Sequence, residues 1–325
     1  MNRPHWNCRY RATRIAAGMI AAILVGTFCV TVCAAEEARP DAKRAFGYLA
    51  QICRIGPRIS GSRGMMRQQQ LIGKHFAAFD CEVKYQPFDV RHPLTGNPVR
   101  MNNIIISWNP EVKERLLLCC HYDTRPLPDR DRDANQRQQG VFLGANDGAS
   151  GVALFMELAH HMKNLPATCG VDFVIFDGEE LVYGNRGEYF LGSTHFAENY
   201  RDHPTEQRYT AGVLVDMVAD RNLRIYMEKN SLKYAPDVTK SIWKSAEQVG
   251  VDEFVPRAKH EVRDDHLPLN EIAKIPTCDI IDFDYPYWHT TRDVPNSCSG
   301  KSLAKVAKVL LHWLRTYPVA QPPAK

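Results

Sequence analysis

Beyond its N-terminal segment the chain alternates two apolar rhythms. Leu116-Leu117-Leu118-Cys119-Cys120 and Val171-Asp172-Phe173-Val174-Ile175-Phe176 are short runs, apolar at nearly every position, the pattern of strands buried on both faces of a sheet. Residues 212–215 and 278–283 read the same way, and 82–90 and 101–108 are also strand-like. Between the strands, residues 149–162 carry Val152, Phe155, Met156, Ala159 and Met162 at helical spacing, which predicts a helix with one face on the sheet. Further helices are predicted over 41–55, 65–79, 193–199, 235–249 and 302–317. This alternation predicts one α/β domain over residues 36–317, with a mostly parallel, twisted central sheet flanked by helices. No internal repeat and no composition break marks a second domain. The tail, residues 318–325, is proline-bearing and is expected to be loose.

Composition narrows the class only modestly. With 325 residues, 44% of them hydrophobic, the chain can bury a sizeable core. Its formal net charge of +4 comes from interspersed Lys, Arg, Asp and Glu, with no basic patch, so no nucleic-acid partner is expected. At the N-terminus, Arg3, Arg9, Arg11 and Arg14 precede an apolar stretch from Ile15 to Cys33 and then Ala34 and Ala35. Residues 1–35 therefore read as a secretory signal cleaved near Ala35, or else as an uncleaved membrane anchor. Either reading places the catalytic part outside the cytoplasm, secreted or periplasmic, with membrane contact only if the segment stays attached. Cys53, Cys81, Cys119, Cys120, Cys169, Cys278 and Cys298 remain beyond it, an odd set without Cys-x-x-Cys spacing, best read as mostly buried small hydrophobes.

The chemistry is concentrated where strands end. Open α/β sheets bind ligands at the carboxyl ends of their strands. His121 and Asp123 follow one predicted strand, Glu179 and Glu180 the next, Asp216 ends a third, and His289 lies in the loop after a fourth. Asp147 sits in Gly144-Ala145-Asn146-Asp147-Gly148-Ala149-Ser150-Gly151, which opens a helix. Two imidazoles and several carboxylates without cysteine suit zinc. Asp147, Glu180 and His289 suffice for one ion with an open position, and His121 with Asp216 could hold a second that shares Asp147. Glu179 is then left unligated beside the open position, as a general acid or base must be.

Each residue alone has a plainer reading as a helix cap or loop hydrogen bonder. The joint pattern favours the metal, because two carboxylates beside a buried strand are costly without a cation. By contrast, His160 and His161 read as structural, and Asp129-Arg130-Asp131-Arg132-Asp133 reads as a solvated loop whose arginines neutralise its acids.

With these motifs in place the chain resembles the zinc exopeptidases with co-catalytic metals, a superfamily that also holds the animal-type glutaminyl-peptide cyclotransferases. The carriers are His121-Tyr122-Asp123-Thr124-Arg125-Pro126, Gly144 to Gly151, Asp177-Gly178-Glu179-Glu180, Leu191-Gly192-Ser193, Leu214-Val215-Asp216-Met217, Asp264-Asp265-His266 and Trp288-His289-Thr290. The resemblance covers nearly everything after the N-terminal segment and implies a zinc aminopeptidase-like α/β/α sandwich.

Two branches follow from it. In the cyclase branch, of which this would be a bacterial-type member, one zinc serves the conversion of N-terminal glutamine to pyroglutamate. Trp288 would wall the glutamine pocket there, and Asp216 and Asp264 would hold the proton path of Glu179. The Asp264-Asp265-His266-Leu267-Pro268 run and Trp288 lean this way, although Trp288 has a plainer reading as packing at a pocket mouth. In the aminopeptidase branch two zincs use all five ligands, Glu179 activates a water, and Asp147-Gly148-Ala149-Ser150-Gly151 looks like the peptidase loop. Both branches act on peptides or proteins with a free N-terminus. A non-catalytic binding ectodomain on the same fold is a third reading, disfavoured by the intact Glu179 and ligand set. One departure stands out: animal secretory cyclases link the position of Cys120 to a cysteine near the position of Val152, and none is present here.

Overall fold

A computed structural model describes residue 1, residues 39–166 and residues 170–318. Residues 2–38, where a signal or anchor is expected, Cys169 and the tail beyond residue 318 lie outside the described residues. Among the described residues no helix is long and apolar enough to cross a membrane.

The central sheet has six strands. β1 (Glu82–Arg91), β2 (Pro98–Trp108), β3 (Glu114–His121), β4 (Gly170–Phe176), β5 (Arg208–Asp216) and a strand near the C-terminus, Thr277–Ile281, stand in the order β1-β2-β4-β3-β5 with Thr277–Ile281 at the edge. β4, β3, β5 and the edge strand pair in parallel, whereas β2 is antiparallel to both β1 and β4. The predicted parallel core is therefore present within a mixed sheet. Leu116, Leu117 and Leu118 of β3 are all fully buried, because successive side chains of a central strand enter opposite cores. Each such burial contributes roughly 1.5–3 kcal/mol.

On one face lie α1 (Ala42–Cys53), α2 (Arg63–Phe76), α4 (Ala149–Leu158) and the C-terminal helix Gly300–Thr316, packed with Leu116, Leu118 and Cys120. The short helix Ala134–Gln139 is α3. The other face receives α5 (Leu191–Asp202) and a short helix, His266–Glu271, against Leu117, Cys119, Val174 and Leu214. Helix α4 corrects the expectation of a single buried face. All its residues are buried, because it runs between the sheet and the helices α1 and Gly300–Thr316. It also stops at Leu158 and tightens into a 3₁₀ turn, Ala159–Asn164. Gly151 allows this close approach, since a Cβ there would lie 2.5 Å from that of Cys120.

Between β5 and the edge strand the sequence reading missed a small parallel sheet, β6 (Ile225–Glu228) with β7 (Phe254–Lys259). Four residues in β6 and a proline in β7 leave too little alternation to register. The edge strand Thr277–Ile281 is thus β8; α6 is Lys229–Tyr234, α7 Pro236–Gln248, α8 His266–Glu271 and α9 Gly300–Thr316. The described cysteines are unpaired, and all but Cys81 are buried, Cys120 among them.

Candidate metal centre and active-site cavity

The carboxyl ends of β3, β4, β5 and β8 bring the predicted residues to one rim. His121 closes β3, and its Nε2 lies 3.2 Å from Asp147 Oδ1 and 3.2 Å from Asp216 Oδ1 at the end of β5. His289, in the loop after β8, places Nε2 2.7 Å from Glu180 Oε1 and 3.5 Å from Asp147 Oδ2. His121, Asp147 and Glu180 offer ligand atoms all within 4.8 Å of one another, and each residue is buried. His289 joins that group through its contacts with Glu180 and Asp147, so the trio expected for one ion and the pair expected for a second form one continuous cluster. Asp147 Oδ2 is buried without a hydrogen-bond partner, and such an orphaned oxygen facing imidazole fits a cation.

Backbone devices aim these groups. After β4, Gly178 turns the chain at φ 76°, and Asp123 fixes the result: its Oδ1 accepts from the Glu179 N–H at 3.0 Å and its Oδ2 from the Glu180 N–H at 2.9 Å. Asp123 is thus an anchor for both glutamates. Asp293 does the same for the Asp147 loop, accepting from Asn146 N–H at 2.8 Å, Asp147 N–H at 3.1 Å and the Tyr285 hydroxyl at 2.7 Å. Gly148 has φ 89°, and a Cβ there would meet the Asp123 carbonyl oxygen at 2.4 Å. Met217, Phe190 and His289 adopt left-handed φ values of 48°, 62° and 56°. Residues of these types pay about 1–3 kcal/mol for that conformation, which the surrounding packing must supply.

The supposed solvated loop is part of the site. Asp129 Oδ1 lies 3.1 Å from His289 Nδ1, and Asp129 also accepts from Arg125 at 2.8 Å. Arg130 N–H donates to the His289 carbonyl at 3.1 Å, and Asp131 accepts from Thr291 N–H at 2.9 Å. The arginines that made the run look solvated hid a carboxylate that orients a histidine. Asp293 was also missed, and its only signal was its place shortly after His289. His160 and His161 are structural as expected, meeting the Tyr48 hydroxyl at 2.7 Å and Glu157 at 3.3 Å.

Electrostatics separate the two adjacent glutamates. Burial raises the Glu179 carboxyl well above the ordinary range, and the charge of Glu180 adds to the rise. For Glu180 burial acts in the same direction but is outweighed by His289, so its carboxyl is held below that range. Burial also raises Asp147 to about 7, with Glu180 contributing. His289 rises to about 9, because Glu180 and Asp129 outweigh the burial that would lower it. Asp264 is 4% exposed, and burial, then Asp216 and Asp265, raise it well above the carboxylate range.

A cavity of about 350 Å³ opens beside this cluster, lined by Glu179, Asp216, Asp264, Phe283, Trp288 and His289 among others. Trp288 packs with its ring centroid 4.9 Å from Phe283 and 4.3 Å from His289. The general acid/base candidate, the two aspartates beside it and the candidate aromatic wall therefore share one space with the metal-ligating group.

The sequence pattern of peptidase family M28 matches residues 103–314, from β2 through nearly all of α9. The chain belongs to peptidase family M28. Among solved structures, a glutaminyl cyclase from Fimbriiglobus ruber is 43% identical with a TM-score of 0.83, covering 86% of this chain and 97% of its own. A Zn-dependent exopeptidase from Parabacteroides distasonis is 27% identical with a TM-score of 0.79, covering 86% and 99%. A glutaminyl-peptide cyclotransferase of Bothrops jararaca is 25% identical over 249 residues, which span 66% of this chain and 65% of that protein. The fold is thereby shared with both a cyclase and an exopeptidase, and the buried His/Asp/Glu cluster of this chain is suited to zinc.

Proposed function

We propose that this M28 member is a zinc-dependent glutaminyl-peptide cyclotransferase, converting an N-terminal glutamine to pyroglutamate with release of ammonia. The observation that carries the reading is the Glu179 carboxyl. It lines the same cavity as Asp216, Asp264 and Trp288, and it is raised well above its ordinary pKa. The similarity to the Fimbriiglobus ruber glutaminyl cyclase supports the same choice. A single zinc on Asp147, Glu180 and His289 would supply Lewis acidity to the side-chain amide of the substrate.

Glu179 takes a proton from the attacking α-amine and passes it to the departing amide nitrogen. The new C–N bond forms as the old one breaks, and ammonia leaves with the transferred proton. No water is consumed, so the cavity serves to orient the glutamine side chain against its own amine. Trp288 walls the space in which the side chain folds back. Asp216 and Asp264 would hold the proton path of Glu179 in place, and the like charge of Asp264 adds to the burial that raises its carboxyl. Asp129 orients His289, and Asp123 holds Glu179 and Glu180 in register. The basic and apolar N-terminal pattern supports an activity outside the cytoplasm, and the proposed substrates are peptides or proteins with a free N-terminus.

One observation favours a second reading, a di-zinc aminopeptidase: His121 lies 3.2 Å from Asp147 and from Asp216, so the remaining ligands of a second ion are assembled too. Purified protein supplied with fluorogenic glutaminyl and leucyl substrates, with its metal counted, separates the two. Ammonia with a pyroglutamyl product and about one zinc per chain is expected. Leucyl hydrolysis with two metals would overturn the proposal.

A further inference from the structure

The mouth of the cavity carries charges that the chemistry inside does not use. Arg130 and Arg263 line it and are exposed, with Glu261 as an exposed acid on the same rim. Among the described residues neither arginine has a carboxylate partner within 4.0 Å. The other charges lining the mouth are already engaged. Arg125 is buried against Glu180, Asp129 and the Tyr189 hydroxyl, and Asp129 is tied to His289 and Arg125.

Arg130 is held in place by the site itself. The Arg130 guanidinium stacks 4.1 Å from the centroid of Trp288, and its backbone N–H is bonded to the His289 carbonyl. Stacking occupies the flat face of the guanidinium and leaves its N–H edges for a carboxylate. The backbone on either side of Arg263 is fixed: Val262 N–H donates to Glu228 at 2.9 Å, the Val262 carbonyl accepts from Asn230 at 2.9 Å, and the Asp264 carbonyl accepts from Leu267 N–H at 2.9 Å. If the amine of a bound glutamine meets Glu179, the rest of the peptide must leave past this rim.

We infer that Arg130 and Arg263 form an anion-selecting mouth, so that the preferred substrates are glutaminyl peptides with an acidic side chain in the residues just after the glutamine. This rests on the cyclase reading and names its substrate class. Exposed charge pairs contribute little one by one, so a preference of roughly three- to tenfold is the expected scale. The contribution belongs to capture of the peptide, so it appears in KM and not in kcat.

The test compares peptides that differ only in the second residue, Gln-Glu, Gln-Ala and Gln-Lys, by kcat/KM at low and high salt. The Glu-to-Lys ratio should be about three- to tenfold at low salt and should fall towards one as salt screens the rim. Arg130→Gln together with Arg263→Gln should bring the ratio near one, whereas Glu261→Gln should raise it. The salt series on the unaltered enzyme decides the matter even if the double variant folds poorly. Equal turnover of all three peptides at low salt, or a ratio that survives the double substitution, would overturn the inference and leave the cyclase reading intact. Failure of every glutaminyl peptide alongside leucyl hydrolysis would overturn both.

Discussion

The two ends of the same parallel strands treat buried charge in opposite ways. At the amino ends of β3 and β4, Arg115 is fully buried and donates to Asp172 at 2.6 and 2.9 Å. Its other donors reach the carbonyls of Trp108, Asn109, Val112 and Val171, and Asp172 also accepts from the Tyr209 hydroxyl at 2.6 Å. At the carboxyl ends the acids are crowded against one another. Asp147 Oδ2 and Asp265 Oδ2 are buried without hydrogen-bond partners. Saturated charge holds the sheet together. Unsaturated charge is destabilising by itself and marks the place where a cation and a substrate supply the missing partners.

Removing the key acid should therefore cost activity and not stability. Glu179→Gln should lower kcat by roughly 10²–10⁴-fold, the scale of a lost general acid/base, with zinc still bound and denaturant stability equal or higher. Full turnover in that variant, by steady-state assay with metal analysis, would refute the assignment. Arg115→Met tests the opposite end: it strands Asp172 and should destabilise the fold by about 3–5 kcal/mol, while turnover per folded molecule is kept. A urea titration showing a loss below about 1 kcal/mol would erase the contrast between the two ends.

Glu228 sharpens the comparison, because it lies near the crowded acids yet is saturated. It accepts from Asn230 N–H, Ser231 N–H, the Ser231 hydroxyl and Val262 N–H at 2.6 to 2.9 Å. Burial alone would raise its carboxyl, but His266 and these backbone donors outweigh it and hold it at about 2. A carboxyl depressed on folding contributes stability above its ordinary pKa of 4.5, and that contribution is lost as pH falls through about 2. Glu228→Gln should cost about 1.5–3 kcal/mol at neutral pH, the worth of hydrogen bonds to a charged group. The gap from the unaltered protein should narrow as denaturation is repeated towards pH 3, and a gap independent of pH would count against this reading.

The contrast also explains what the sequence disclosed. β3 and β4 were legible because central parallel strands are apolar at almost every position, and the rim residues were legible because chemistry follows directly after such runs. Asp123 was placed on the rim correctly, but its service to the Glu179 and Glu180 backbone depends on a turn that only the folded chain forms. Asp129 was hidden among arginines whose partners are remote in sequence: Arg130 finds Trp288 and the His289 carbonyl across more than 150 positions of chain. Helix α4 carried helical spacing, but its polar face never reaches solvent, so periodicity overstated its exposure. The β6 and β7 pair is held by neighbouring elements more than by its own pattern, and short strands of that kind leave no signal.

The proposed reaction joins a substrate's own amine to its side-chain carbonyl without using water. A glutaminyl peptide turned over in water enriched in heavy oxygen tests this directly by mass spectrometry of the products. The expected products are a pyroglutamyl peptide with no heavy oxygen incorporated and every peptide bond intact, and ammonia. Free glutamine carrying heavy oxygen in its carboxylate would contradict that reaction and make Glu179 the activator of a hydrolytic water.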